Sequence, residues 1–181
     1  LRFPLPLVPL QILLMNLVTD GLPAIALDFE KSDKNIMKRQ PRNPKENPIN
    51  LKTLFMIISF GIFMAAGALF LFNKYSDNLT LARTVAFTTL VTFEMFAVLS
   101  SRSLSPSWKD INPFSNLWLM GAVISSMLLQ VAVVYFAPLQ AVFETTGLGL
   151  EHWGYILIVS SLGFIGMEIS KFFLEKLGFN S

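Results

Sequence analysis

The sequence contains no cysteine, a single histidine and few charged residues. The absence of cysteine from all 181 positions excludes disulfide bonds and thiolate metal ligands. The histidine, His152, stands beside Trp153 at the edge of an apolar segment, where we interpret it as an interfacial side chain rather than a metal ligand or a catalytic base. Charged residues form 14% of the chain, against about 25% in typical soluble domains. This composition argues against a soluble domain, and the net charge of +2 gives no indication of nucleic-acid binding.

The apolar residues are gathered into five segments, each close to the roughly 20 residues that a helix needs to cross the hydrocarbon core of a bilayer. We place these segments at about residues 9–29, 52–72, 82–101, 117–136 and 153–173. Because the bilayer core holds no water to satisfy backbone groups, each segment is expected to be helical. The sequence therefore predicts an all-α, polytopic membrane protein, with residues 1–181 forming one transmembrane domain of five helices in contact with lipid.

Lysine and arginine are distributed unevenly between the connecting segments. Of the fourteen, seven lie in residues 30–52, two in residues 100–116 and two in the tail after residue 170. Because successive segments cross the membrane in opposite directions, these three regions lie on the same side. The opposite side has the remaining three, which are Arg2, Lys74 and Arg83. Since cytoplasmic loops carry an excess of Lys and Arg, we predict that the first three regions, including the C-terminus, are cytoplasmic. The expected location is the plasma membrane.

Polar residues, a glycine and a proline interrupt the first apolar segment. Asn16, Thr19 and Asp20 stand at i, i+3 and i+4, so a regular helix would place their oxygen-bearing side chains on one face. Pro23 has no amide hydrogen and crowds the carbonyl of Thr19, so we predict that the helix is broken near Thr19–Pro23, with Gly21 inside the break. Opened backbone and an ionisable group at membrane depth usually serve ions or protons. We therefore predict a cation site here, against the alternative of a proline kink whose polar cluster holds helices together.

Glu94 lies in the middle of the third apolar segment, between Phe93 and Met95, too deep to reach the membrane surface. A carboxylate at this depth needs a bound cation, a proton or a partner on a neighbouring helix. The residues alone leave two interpretations open. Glu94 is either a cation ligand or a protonated carboxyl group that donates a hydrogen bond.

Two stretches carry a resemblance to a known family. Residues 11–24, with the sequence QILLMNLVTDGLPA, resemble the sixth transmembrane helix of P2-type cation-transporting ATPases, above all the calcium pumps of the sarcoplasmic-reticulum type. Residues 36–42, with the sequence IMKRQPR, resemble the cytoplasmic loop that follows this helix in the family. The five predicted helices match helices six to ten, so the resemblance covers essentially the whole chain. The chain departs from the family at Asp28, where a glycine is usual.

The resemblance implies a ligand set for the transported calcium ion. The residues that match Asn16, Thr19 and Asp20 coordinate calcium in the family, and Glu94 stands where the eighth helix contributes a glutamate. Sodium-type relatives tend to carry glutamine at that place, so Glu94 favours calcium. Calcium takes about six to eight oxygen ligands, more than these four side chains supply. The resemblance places the remaining ligands on helices four and five, which this sequence does not contain.

The resemblance also implies partners. The chain has no Asp-Lys-Thr-Gly phosphorylation motif and no glycine-rich nucleotide loop, so we expect that it cannot hydrolyse ATP by itself. ATP and magnesium would bind the missing cytoplasmic domains of the same polypeptide, and the absence of a first Met agrees with a longer protein. Two alternatives remain open at this stage. One is a P-type pump for sodium or another monovalent cation, and the other is a secondary cation transporter or channel with a broken helix.

Overall fold

The computed structural model of the protein describes residues 4–29, 51–101 and 116–176. The predictions made for the basic segment 30–50, including residues 36–42, and for most of the segment 100–116 lie outside the described residues. Within the described ranges the chain is helical and has no strand, which confirms the predicted all-α class. The helices are α1 (Pro9–Leu14), α2 (Gly21–Leu27), α3 (Leu51–Lys74), α4 (Leu79–Ser101), α5 (Leu117–Tyr135), α6 (Ala137–Phe143) and α7 (Leu150–Lys176), and a π-helical turn (Met15–Thr19) lies between α1 and α2.

Four helical stretches of the described chain are long and apolar enough to cross a membrane. They are Pro9–Leu27, Thr53–Lys74, Leu79–Ser100 and Leu117–Tyr135. Helix α7 has 27 residues and would reach about 40 Å at about 1.5 Å per residue, but it is not among these four. Four of the five predicted segments therefore have the length and composition of membrane spans, and the fifth span stays a prediction.

Helix α4 is the central element of the bundle and packs against α3, α7, α5 and the π-helical turn. It carries four buried threonines whose hydroxyl groups each donate to the carbonyl four residues earlier: Thr84, Thr88, Thr89 and Thr92. This local bonding satisfies the hydroxyls without water, which a helix inside a membrane domain requires.

A single aromatic ring sets the distance between α3, α4 and α7. The ring of Phe93 on α4 is buried against two glycines, Gly67 on α3 and Gly163 on α7. A Cβ atom on Gly67 would lie 3.0 Å from Phe93 Cε2, and one on Gly163 would lie 2.6 Å from Phe93 Cζ. The two glycines therefore form a slot into which the ring fits, directly beside Glu94 in the chain.

The connection after α5 contains a short helix of its own. Helix α5 ends at Tyr135, and Pro138 stands in the first turn of α6. Proline is tolerated there because the first amides of a helix have no partner within the helix. Helix α6 ends at Glu144 in the left-handed conformation, with φ 51°. The Tyr135 hydroxyl then donates to the Leu148 carbonyl at 2.6 Å, which holds the connection against the end of α5.

Candidate cation site

The interruption of the first membrane helix begins one turn earlier than predicted and takes the form of a widened turn. The Asp20 amide donates to the Met15 carbonyl, five residues back, at 2.9 Å. Regular α-helix resumes at Gly21, and the Ala24 amide donates to the Asp20 carbonyl at 3.0 Å. Pro23 lies in the first turn of this new helix and supplies no amide to the Thr19 carbonyl. The break therefore spans Met15–Asp20, and Pro23 stands in the first turn of α2, where a missing amide is tolerated.

The side chain of Thr19 connects this break to α4. Thr19 is fully buried, and its Oγ1 lies 2.9 Å from the Met15 carbonyl oxygen and 3.0 Å from Oε2 of Glu94. Glu94 is 8% exposed and 75 positions away in the sequence. The structure thus brings together two of the four predicted ligands, a hydroxyl group and a carboxyl group, at the point where the helix is interrupted.

The other two predicted ligands lie elsewhere on the same helix. Asn16 and Asp20 are exposed in the described chain, whereas Thr19 between them points inward. A π-helical turn has more residues per turn than an α-helix, so residues 16 and 20 remain on one face while residue 19 is turned toward α4. Among the described residues, no group of three or more His, Cys, Asp or Glu side chains could hold a metal ion.

Polar residues outside the motif connect the elements around the site. Gln11 and Gln130 each connect two elements through their side-chain amides. The amide of Gln11 donates to the Phe143 carbonyl at 3.0 Å, and the amide of Gln130 donates to Thr88 Oγ1 at 2.9 Å. The sequence patterns did not single out Asn116, whose side chain contacts the end of α2. The signal that the sequence offers is an asparagine just before an apolar run, which is typical of a helix cap.

Similarity to known proteins bears on this site. A sequence model of the family described as "Cation transporting ATPase, C-terminus" matches residues 4–173. The "Calcium-transporting ATPase" of Bacillus subtilis (strain 168) is 40% identical over 166 residues, which are 90% of this chain and 18% of that protein. The "Calcium-transporting ATPase type 2C member 1" of Homo sapiens is 37% identical over 174 residues, covering 94% of this chain and 19% of that protein. The "Calcium-transporting ATPase 3, endoplasmic reticulum-type" of Arabidopsis thaliana is 35% identical over 209 aligned residues, covering 98% and 21%. The chain thus spans about a fifth of the length of the curated relatives it matches.

Proposed function

The chain belongs to the C-terminal family of cation-transporting ATPases, and on this basis we propose that it forms the C-terminal membrane half of an ATP-driven calcium pump. It is an integral, multi-pass membrane protein. The observation that carries the proposal is the buried Glu94 carboxyl group in contact with Thr19 at the break in the first membrane helix. Calcium is the proposed cargo because the three relatives described above are calcium-transporting ATPases by name.

The hydrogen-bond geometry of Thr19 and Glu94 suits a carboxyl group that alternates between a protonated and a cation-bound state. The Thr19 hydroxyl has one hydrogen, but two acceptors lie within reach, the Met15 carbonyl at 2.9 Å and Glu94 Oε2 at 3.0 Å. Both contacts are satisfied together when Glu94 carries a proton and donates it to Thr19 Oγ1, while Thr19 donates to Met15. When a cation is bound, the carboxylate and the hydroxyl oxygen can both direct lone pairs to it. An uncompensated charge in this environment would be costly, so the carboxyl group holds either a proton or a cation.

The remaining ligands of the proposed site must come from outside the described chain. Asn16 and Asp20 lie on an exposed face of the broken helix, where further membrane helices of the same polypeptide could pack. Calcium takes about six to eight oxygens, so Asn16, Thr19, Asp20 and Glu94 need additional partners. We propose that these are N-terminal membrane helices, and that cytoplasmic domains of the same polypeptide hold ATP and magnesium. The excess of Lys and Arg supports a cytoplasmic C-terminus, and we propose the plasma membrane as the location.

The test uses the full-length protein and measures phosphorylation by ATP as calcium is titrated. We expect Asp20→Asn to abolish calcium-dependent phosphorylation, because the substitution removes the charge of the exposed polar face beside Glu94. The control is Asp28→Asn, which alters an exposed carboxylate at the end of the same helix and should leave the calcium response unchanged. An unchanged calcium affinity in the Asp20→Asn protein would contradict the assignment.

The same assay separates the two alternatives. If sodium or another monovalent cation stimulates phosphorylation while calcium does not, the protein is a P-type pump for that ion. If the full-length protein forms no phosphorylated intermediate with ATP under any cation, the pump proposal is wrong, and cation transport without ATP would then identify a secondary transporter or channel.

A further inference from the structure

Asn116 holds two elements at once, by opposite ends of its side-chain amide. Its Oδ1 accepts a hydrogen bond from the Leu119 amide at 3.0 Å and thereby caps the start of α5. Its Nδ2 donates to the Ala26 carbonyl at 3.0 Å, 90 positions away, near the end of α2. Asn116 is 4% exposed, so both bonds are shielded from water. Asp, Ser and Thr would cap the helix equally well, but asparagine is the good capping residue that also offers an amide donor.

Helix α2 depends on such outside contacts for its position. It has seven residues and is separated from α1 by the π-helical turn, so it is too short to be stable alone. Within the described chain it packs against α5 and the π-helical turn. Besides the bond from Asn116, the ring of Phe29 just beyond its end lies 5.9 Å from the ring of Trp118 on α5. Helix α2, the second part of the broken helix, is therefore held against the first turn of α5.

We propose that Asn116 is a positioning residue for the cation site. By holding the end of α2 against α5, it fixes the start of α2, and hence Asp20 and Thr19, relative to Glu94 on α4. The effect of Asn116 on cation binding rests on the proposed function. The hydrogen bond from Asn116 to the Ala26 carbonyl, here called the bridge, holds α2 against α5 whether or not that function is correct. The cap and the bridge use different atoms, so substitutions can separate them.

The test compares Asn116→Ser and Asn116→Thr in the full-length protein. Both variants keep an oxygen that caps α5, and both lose the donor that reaches Ala26. We expect faster hydrogen exchange in residues 21–29 but unchanged exchange in residues 117–122, because the cap survives. We also expect the calcium concentration for half-maximal phosphorylation to rise about threefold to tenfold, the range that follows from losing one net hydrogen bond. The two variants differ in size and in branching at Cβ, so poor folding of one leaves the other for the measurement.

A matched control is available on α4. Asn78 caps this helix through the Leu81 amide at 3.1 Å and is exposed at the opposite end of the span from the bridge. Asn78→Ser should change neither the exchange of residues 21–29 nor the calcium response. If the Asn116 variants leave both readouts unchanged, the bridge does not exist and the proposal is overturned. If exchange rises while calcium affinity stays the same, Asn116 is structural only and the positioning role is overturned. If the full-length protein does not respond to calcium at all, the proposed function fails, and the exchange measurement still decides whether the bridge holds α2.

Discussion

The packing next to Glu94 can be perturbed at the slot that Gly67 of α3 and Gly163 of α7 form around the ring of Phe93. Replacing Gly163 by alanine puts a methyl group 2.6 Å from Cζ of Phe93 and closer still to Cε1. The ring cannot retreat freely, because its other side faces the backbone of Gly67, so close that Cε2 lies 3.0 Å from the place where a Cβ would stand. The ring must therefore leave its position, or α4 and α7 must separate.

The size of the effect follows from two opposing contributions. Overpacking a close-packed interior costs about 1–3 kcal/mol. Replacing a helical glycine by alanine recovers about 0.5–1 kcal/mol, because glycine loses more backbone freedom on folding. Gly154 lies on the same helix, and a Cβ atom added there would meet open space, so Gly154→Ala should show the favourable effect alone. The difference between the two variants cancels the propensity effect, and we expect Gly163→Ala to be about 1–3 kcal/mol less stable than Gly154→Ala.

The assay is equilibrium unfolding of the purified full-length protein in mixed micelles, followed by the loss of helical signal in the membrane domain. The rescue is Phe93→Leu in the Gly163→Ala background, because the smaller side chain vacates the space that the methyl group needs. The two substitutions should couple by about 0.5–3 kcal/mol, as expected for residues in contact. Equal stabilities of Gly163→Ala and Gly154→Ala would show that the slot does not constrain the ring.

Two further substitutions test the site and the connection after α6. Thr19→Val removes the hydroxyl that contacts Glu94 and should weaken calcium binding in the phosphorylation assay about tenfold, whereas Thr89→Val, which loses only a bond within α4, should not. If Thr19→Val weakens calcium binding less than Thr89→Val does, the contact between Thr19 and Glu94 has no role in calcium binding. Glu144→Gly should raise the free energy of unfolding by about 0.5–1 kcal/mol, because glycine accepts the left-handed conformation. The substitution also removes the ion pair to Arg83, but this pair is weak because its atoms are 3.5 Å apart and Glu144 is 61% exposed. Glu144→Ala loses the ion pair without this relief and should not stabilise.

The class of the fold, and the residues proposed for the cation site, followed from local features of the sequence. The length of an apolar segment decides whether it can cross a bilayer, and each segment satisfies its own backbone bonds, so positions 52–72 and 117–136 predicted α3 and α5 within three residues. The polar residues of the first segment and Glu94 could be singled out for the same reason, since charge at membrane depth is costly wherever it occurs.

Tertiary packing governs how those residues are arranged. Nothing in the spacing of Asn16, Thr19 and Asp20 shows that the turn widens and directs Thr19 alone toward α4, because that turn depends on which helix packs beside it. The bond from Asn116 to the carbonyl of Ala26 joins residues 90 positions apart, and a sequence pattern reports only neighbours along the chain. Local sequence identifies the groups that need a partner inside the membrane, whereas the packed helices select the partner of each one, because hydrogen bonds act over about 3 Å in space and not along the chain.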